Sequence, residues 1–271
     1  MKYRFGFIGC GNMAVAMMGG IIKSGLLKPE EIIASDVSAA SMANAQEGYG
    51  IHTTSSNRDV AMSCEILILS VKPQYYEAVI REVRGDVSDG TVIVTIAPGI
   101  TTKQLSGMFN KAPKLIRTMP NTPALIGEGM TGICRNHLVT DEELADVCDL
   151  FASFGKTEIV DEALMDAVVA VSGSAPAYVF ILIEAMADAA VLGGIARSQA
   201  YTFAAQAVAG SAKMVLETGR HPGELKDMVC SPGGTTIEAT RILEKQGFRS
   251  SVIEAMKACM KKSSEFSKNE S

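Results

Sequence analysis

Gly9-Cys10-Gly11-Asn12-Met13-Ala14 is a G-x-G-x-x-A motif, and its setting decides the fold. Residues 2–8 ahead of it read as a strand, with Phe5, Phe7 and Ile8 apolar, and a helical pattern runs behind it to residue 24. The first glycine makes a tight turn, the second lets backbone approach a pyrophosphate, and the small third residue lets helix and strand pack closely. The motif alone is weak evidence. Here it follows the first strand, opens a helix, and has an acidic residue, Asp36, closing the next apolar run of Ile32, Ile33 and Ala34. That context points to a nucleotide site. A carboxylate at Asp36, next to Ser35, can accept hydrogen bonds from a ribose 2′-OH and repels a 2′-phosphate. No Arg or Lys lies between residues 35 and 46, although Arg58 is close enough in sequence to reach in. The reduced cofactor is therefore read as NAD(H) or NADP(H).

Outward from this stretch, short apolar runs alternate with helical patterns as far as residue 160. Strands are predicted at 32–35, 65–71, 91–96, 114–118, 129–134 and 157–160, and helices at 74–84, 102–109 and 141–154. The runs at 65–71, 91–96 and 114–118 are densely aliphatic, as strands covered on both faces are. The pattern is that of an α/β fold with a Rossmann-type, doubly wound, mostly parallel sheet. Beyond Asp161 strand signals stop, and Ala, Met and Leu fill helical stretches at 162–171, 175–192, 198–217, 222–229, 235–245 and 249–266. The expected division is a dinucleotide-binding domain, 1–161, and an all-α domain, 162–271. The polar residues 263–271 are expected to fray. The helical half is apolar on more than one face, which predicts a large helix-to-helix dimer interface.

Composition narrows the partners. A hydrophobic fraction of 47% and a charged fraction of 20% supply a core, and the net charge of −5 argues against nucleic acid. No continuous apolar run is judged to reach membrane-spanning length. The longest, 175–196, carries Glu184 and Asp188 and reads as a buried or interface helix. The start of the chain lacks the layout of a signal peptide, so a cytoplasmic setting is expected. Six cysteines and three histidines show no C-x-x-C pair or metal-ligand spacing, so no metal is expected and the cysteines fit a reducing compartment.

A second site is read near the carboxyl terminus. Ser231-Pro232-Gly233-Gly234-Thr235-Thr236 precedes a helical pattern, with Ser231 a good N-cap and Pro232 suited to a first turn. Unpaired N–H groups and the positive end of the dipole at such a helix start hold an anion without Lys or Arg. A capped helix start with no further role is the competing reading. At the carboxyl edge of the sheet, Val71-Lys72-Pro73, Ala97-Pro98-Gly99-Ile100-Thr101 and Arg117-Thr118-Met119-Pro120-Asn121-Thr122-Pro123 end three strands. Their Pro and Gly residues fix turns able to bracket a nicotinamide ring. Lys72 is either catalytic, a phosphate contact or a solvated loop residue. Asn121 either donates to a ligand or braces its own turn. The hydroxyls of Ser172-Gly173-Ser174-Ala175-Pro176-Ala177-Tyr178 read by default as helix caps.

These pieces together resemble the pyrroline-5-carboxylate reductase family, the last enzymes of proline biosynthesis, over essentially the whole chain. The resemblance runs from Phe7-Ile8-Gly9-Cys10-Gly11-Asn12-Met13-Ala14 to Gly247-Phe248-Arg249-Ser250. It is most specific from His221-Pro222-Gly223-Glu224-Leu225-Lys226-Asp227 through residues 231–236, with Leu243-Glu244 closing the signature. Val71-Lys72-Pro73, Met119-Pro120-Asn121-Thr122-Pro123 and residues 172–178 also match. Thr240, Pro98 and Ala175 depart slightly from the family pattern. Asp36 departs more, because relatives that use NADPH often carry small hydroxyl residues there.

The resemblance implies substrate contacts from Ser231, Gly233, Gly234, Thr235 and Thr236, with the Thr236 hydroxyl directed catalytically at the ring nitrogen. It implies cofactor contacts from Gly9, Gly11, Asn12, Met13, Ala14, Ser35, Asp36, Asn57, Val71, Lys72, Pro73, Ala97, Gly99, Met119, Pro120 and Asn121. Asn57 would lie near the adenine ribose and residues 119–121 near the nicotinamide. It implies an interlocked homodimer, open to further assembly, in which each active site draws on two subunits.

The chemistry can also be weighed from the residues. A protonated cyclic imine accepts hydride without a strong acid beside it, whereas a carbonyl needs a donor for its developing alkoxide. The loops here offer hydroxyls and N–H groups. A β-hydroxyacid dehydrogenase, the main enzymatic alternative, would place a Lys on the first long helix after the boundary, and none occurs between Lys156 and Lys213. A non-catalytic nucleotide sensor would have no need of the 231–236 loop.

Overall fold

A computed structural model of the chain describes residues 2–268. Its strands are β1 (Tyr3–Ile8), β2 (Ile32–Ser35), β3 (His52–Thr54), β4 (Cys64–Leu69), β5 (Val92–Thr95), β6 (Lys114–Met119), β7 (Gly129–Arg135) and β8 (Gly155–Ile159). They form one sheet in the order β3-β2-β1-β4-β5-β6-β7-β8. All neighbours pair in parallel except β6 with β7, so the sheet is doubly wound and mostly parallel, as expected.

Helices α1 (Asn12–Lys23), α2 (Ala39–Tyr49), α3 (Asn57–Ser63), α4 (Tyr76–Val83), α5 (Thr102–Met108) and α6 (Asp141–Ala152) cover both faces. Alternation along β4 shows how. Ile66 and Ile68 pack with Met17, Ile21 and Phe151 of α1 and α6, whereas Leu67 and Leu69 pack with Val60, Tyr76, Ile80 and Leu105 of α3, α4 and α5. A strand buried on both faces must be apolar at every position, which explains the unbroken aliphatic runs. Edge strand β3, with α2 and α3 around it, lacks such a run.

After β8 come a short 3-10 turn (Glu162–Leu164), α7 (Met165–Val168) and a π-turn (Val169–Gly173). Then follow α8 (Ala175–Leu192), α9 (Arg197–Thr218), α10 (Pro222–Val229), α11 (Thr235–Lys245) and α12 (Phe248–Lys268). The expected fraying from residue 263 is not seen up to 268. Ser263 is buried and its hydroxyl donates to Asp166 Oδ1 at 2.6 Å, so one face of that last turn is packed. Residues 269–271 lie outside the described residues.

The chain divides into two compact units, Met1–Ser174 with Cys259–Ser271, and Ala175–Ala258. Strands stop at Ile159, close to the expected boundary at 161, but the segment up to Ser174 belongs with the sheet. In the second unit α8 packs on α9 and leaves Phe180 and Ile181 exposed.

The expectation that no run reaches membrane-spanning length needs correcting. The helical stretch Glu162–Leu192, 31 residues containing an 18-residue window of mean hydropathy 1.7, is long and apolar enough by length and composition. The 3-10 turn ahead of α7 and the π-turn between α7 and α8 make the helical stretch longer than any single apolar run in the sequence.

Candidate active site

At the carboxyl end of β1, Gly9 has φ 106°, and a Cβ there would stand 2.7 Å from the Ser70 carbonyl oxygen, so only glycine fits. The loop is tied on three sides. Gly9 N–H donates to Ser35 O at 2.7 Å, Cys10 N–H to Asp36 Oδ2 at 2.7 Å, and the Ser70 hydroxyl to Gly9 O at 2.7 Å. Gly11 is the N-cap of α1, with extended backbone, no capping side chain and no acidic residue in the first turn. The positive end of α1 is thus open to an anion at Asn12, Met13 and Ala14. The Cys10 thiol lies under this loop, and burial together with the Asp36 charge pushes its pKa up to about 12. It is not a thiolate nucleophile.

Asp36 is more heavily used than its sequence suggests. Its second oxygen, Oδ1, accepts from Ser38 N at 2.8 Å, so both oxygens already hold backbone. Ser35 Oγ donates to Asn57 Oδ1 at 2.7 Å, and Asn57 Nδ2 donates to Glu82 Oε2 at 2.9 Å. Arg58 does not reach toward Asp36. Its guanidinium grips both oxygens of Asp86, at 2.7 and 3.1 Å, and holds that carboxyl below the usual range.

The other loops also gather at the carboxyl edge. Exposed Lys72 precedes the Pro73–Tyr75 turn, with half-buried Val71 before it. Ala97 is buried and Gly99 turns at φ 78°. Met119 ends β6, Pro120 is buried, and Asn121 Oδ1 accepts from Met130 N at 2.9 Å. Asn121 Nδ2 stands 3.3 Å from both Ser172 O and Ser172 Oγ. Asn121 therefore braces more than its own turn. The hydroxyls at 172 and 174 have partners outside their own turn, since Ser172 Oγ accepts from Asn121 Nδ2 and Ser174 Oγ from Cys259 Sγ, each at 3.3 Å.

In the second unit, Ser231 does not cap the helix. Gly234 N–H donates to Ser231 O at 3.0 Å, closing a tight turn with Pro232 and Gly233 (φ 68°) at its centre. The N-cap of α11 is Gly234, without a side-chain cap. A Cβ at Gly234 would lie 2.3 Å from Ser231 Oγ. The turn consumes Ser231, so the first N–H groups of α11, at Thr235 and Thr236, project unblocked by any side chain. Glu238 is the one acid in that first turn, and a bidentate hydrogen bond from Arg241 holds its carboxyl below the usual range. Thr240, the departure from the family pattern, sends its hydroxyl back to Thr236 O at 2.9 Å.

Among the described residues no group of three or more His, Cys, Asp or Glu side chains could hold a metal ion. Ser70 and Glu82 are missed by sequence reasoning. Ser70 had a signal, a hydroxyl directly after a dense aliphatic strand, whereas Glu82 lies on an ordinary amphipathic helix.

The chain aligns along 99% of its length with the whole of the Escherichia coli strain K12 pyrroline-5-carboxylate reductase, at 52% identity. It belongs to the pyrroline-5-carboxylate reductase family. The relative from Methanosarcina acetivorans is 41% identical over 98% of both chains. Residues 162–266 match the family model for pyrroline-5-carboxylate reductase dimerisation, and residues 4–99 that for NADP oxidoreductase, coenzyme F420-dependent. Among solved structures, the pyrroline-5-carboxylate reductase of Coxiella burnetii superposes with TM-score 0.92 at 32% identity, covering 98% of this chain and 99% of its own. The Plasmodium falciparum pyrroline carboxylate reductase, solved with NADP bound, gives 0.89 at 31% identity, with the same coverage. A 3-hydroxyisobutyrate dehydrogenase from Mycobacterium tuberculosis gives 0.50 at 13% identity, a likeness of fold alone.

Proposed function

We infer that this chain reduces 1-pyrroline-5-carboxylate to L-proline with hydride from a nicotinamide dinucleotide, the last step of proline biosynthesis. The observation that carries the reading is a pair of anion grips built from backbone, the open start of α1 and the open start of α11 after its Pro-Gly turn. The first suits a pyrophosphate and the second a small carboxylate.

Hydride adds to the imine carbon, the π pair of the C=N bond moves to nitrogen, and the proton of the iminium stays there. No alkoxide develops, so no strong acid is required beside the ring. The cofactor's role is to supply the hydride. Gly9, Gly11 and residues 12–14 bind its pyrophosphate, Asp36 and Asn57 its adenosine ribose, and residues 71–73, 97–99 and 119–121 border its nicotinamide. Backbone N–H groups and hydroxyls of residues 231–236 hold the substrate carboxylate, and Thr236 orients the ring nitrogen. The family's dimerisation region supports a homodimer. The six free cysteines suit a reducing, cytoplasmic setting.

Purified protein given the imine and either NADH or NADPH should consume the near-ultraviolet absorbance of the reduced nicotinamide; no consumption with either cofactor sinks the reading. Thr236→Ala should lower kcat/KM by roughly 10- to 100-fold, as loss of a positioning hydrogen bond does. Wild-type kinetics in that variant would leave Thr236 a helix-start residue only.

A further inference from the structure

Asn121 and Ser172 form an oriented pair, and the family resemblance gives Ser172 no role at the ligands. Asn121 is nearly buried, at 9% exposure, on the loop after β6. Its Oδ1 accepts the Met130 N–H at 2.9 Å, which fixes the amide so that Nδ2 must face the π-turn. There Nδ2 lies 3.3 Å from the carbonyl oxygen and 3.3 Å from the hydroxyl oxygen of Ser172. A hydroxyl that accepts from an amide keeps its own proton for another acceptor. Among the described residues no hydrogen bond donated by Ser172 Oγ is seen, and the residue is half-buried.

The turn itself is pressed against the same loop. Ser174 N–H reaches back five residues to Val169 O at 2.8 Å, and a Cβ on Gly173 would stand 2.5 Å from Met119 Cε. π-turns are uncommon and recur at functional sites. Here one holds a half-buried donor beside Met119.

We propose that Ser172 is a hydrogen-bond donor to a ligand's acceptor oxygen beside residues 119–121, and that Asn121 is the residue that positions it. The inference rests on the reading that this loop borders the nicotinamide. The acceptor is a carbonyl or carboxylate oxygen, supplied either by the nicotinamide carboxamide or by the substrate carboxylate. Asn121 acts through Ser172. Its amide occupies both oxygens of the serine and so turns the hydroxyl proton away from Asn121.

The test is a kinetic double-mutant cycle of Ser172→Ala, Asn121→Asp and both together, with thermal unfolding measured alongside. Ser172→Ala removes the donor and should raise one KM by roughly 3- to 10-fold, the scale of one neutral hydrogen bond, with the unfolding midpoint little changed. A rise in the KM of the reduced dinucleotide assigns the carboxamide; a rise in the KM of the imine assigns the carboxylate. Asn121→Asp presents an acceptor to Ser172 and draws its proton inward, so it should raise the same KM. The double variant should then be no worse than Asn121→Asp alone. Wild-type KM values for both ligands in Ser172→Ala, or additive effects in the cycle, overturn the proposal. If the wild-type protein turns over no imine, the functional reading fails and dinucleotide affinity decides. An unchanged Kd in Ser172→Ala then overturns the proposal independently.

Discussion

Asp36 gives one oxygen to the Cys10 N–H and the other to the Ser38 N–H, so the charge expected at the adenosine ribose is also a brace of the phosphate loop. Arg58, the one nearby cation the sequence offers, is spent on Asp86. Asp36→Ser should therefore shift the ratio of kcat/KM toward NADPH about fivefold, on the order of 1 kcal/mol of relieved repulsion. It should also weaken both cofactors, because a charge-assisted bond to the loop is lost. An unchanged ratio would mean that the carboxylate acts on the loop alone. The acid itself was legible in the sequence from its place after β2. Its double duty was not, because hydrogen bonds to backbone leave no trace in residue order. Cys64, fully buried on β4, makes a second residue-scale case, with burial pushing its thiol up to about 12. Unfolded, a thiol titrates near 8.5, so above that pH the unfolded chain releases a proton that the folded chain keeps. The contribution is fully present below about pH 8.5 and is lost as pH rises toward 12, at up to about 1.4 kcal/mol per pH unit. Urea midpoints at pH 8 and pH 10 should show a shallower fall in Cys64→Ala than in wild type.

Elements divide by how their faces are covered. β4 and β5 carry runs of successive aliphatic residues, and such strands stand out in sequence. The edge strand β3, His52-Thr53-Thr54, is short and polar, with nothing in its composition to separate it from a loop. The segment after β8 was legible as helix, but its role was not. There Glu162 accepts from Thr102 N and Thr102 Oγ1, both at 2.6 Å, and from the Arg117 guanidinium at 3.4 Å. One carboxylate thus joins the start of α5 to β6 and to the first turn past the sheet. Arg117 is buried, at 4% side-chain exposure. Glu162→Ala would strand that charge and free two donors, which should destabilise the protein by roughly 2 kcal/mol, less than breaking a fully buried pair costs because Glu162 is partly exposed. Chemical denaturation would measure the loss, and Glu162→Gln, which still accepts hydrogen bonds, should recover part of it. Stability equal to wild type in Glu162→Ala would show that Arg117 finds water or another acceptor.

For the whole molecule, the sequence shows helices apolar on more than one face, and α8 makes that concrete. It packs on α9, yet Phe180 and Ile181 remain 63% and 66% exposed, and Phe203 of α9 66%. Apolar surface of this kind has two natural covers, lipid or protein, and length and hydropathy alone allow either for the stretch Glu162–Leu192. The family match favours protein, because the dimerisation region, residues 162–266, contains that stretch and α9 together. A second copy of the chain is the cover we propose, and burying one large apolar side chain contributes about 1.5–3 kcal/mol. Introducing a charge at the centre of such an interface removes that gain and adds the cost of desolvating a carboxylate. The proposed dimer should sediment as such in the wild type at micromolar concentration, and Phe180→Asp with Ile181→Asp should convert it to monomer. Circular dichroism of the first unit's sheet should change little, since β1 to β8 all lie in Met1–Ser174. If each active site draws on two subunits, imine reduction should fall with the dimer fraction, and dilution of wild type should reproduce the loss. A wild-type chain that sediments as a monomer and still reduces the imine would put both binding grips within one subunit.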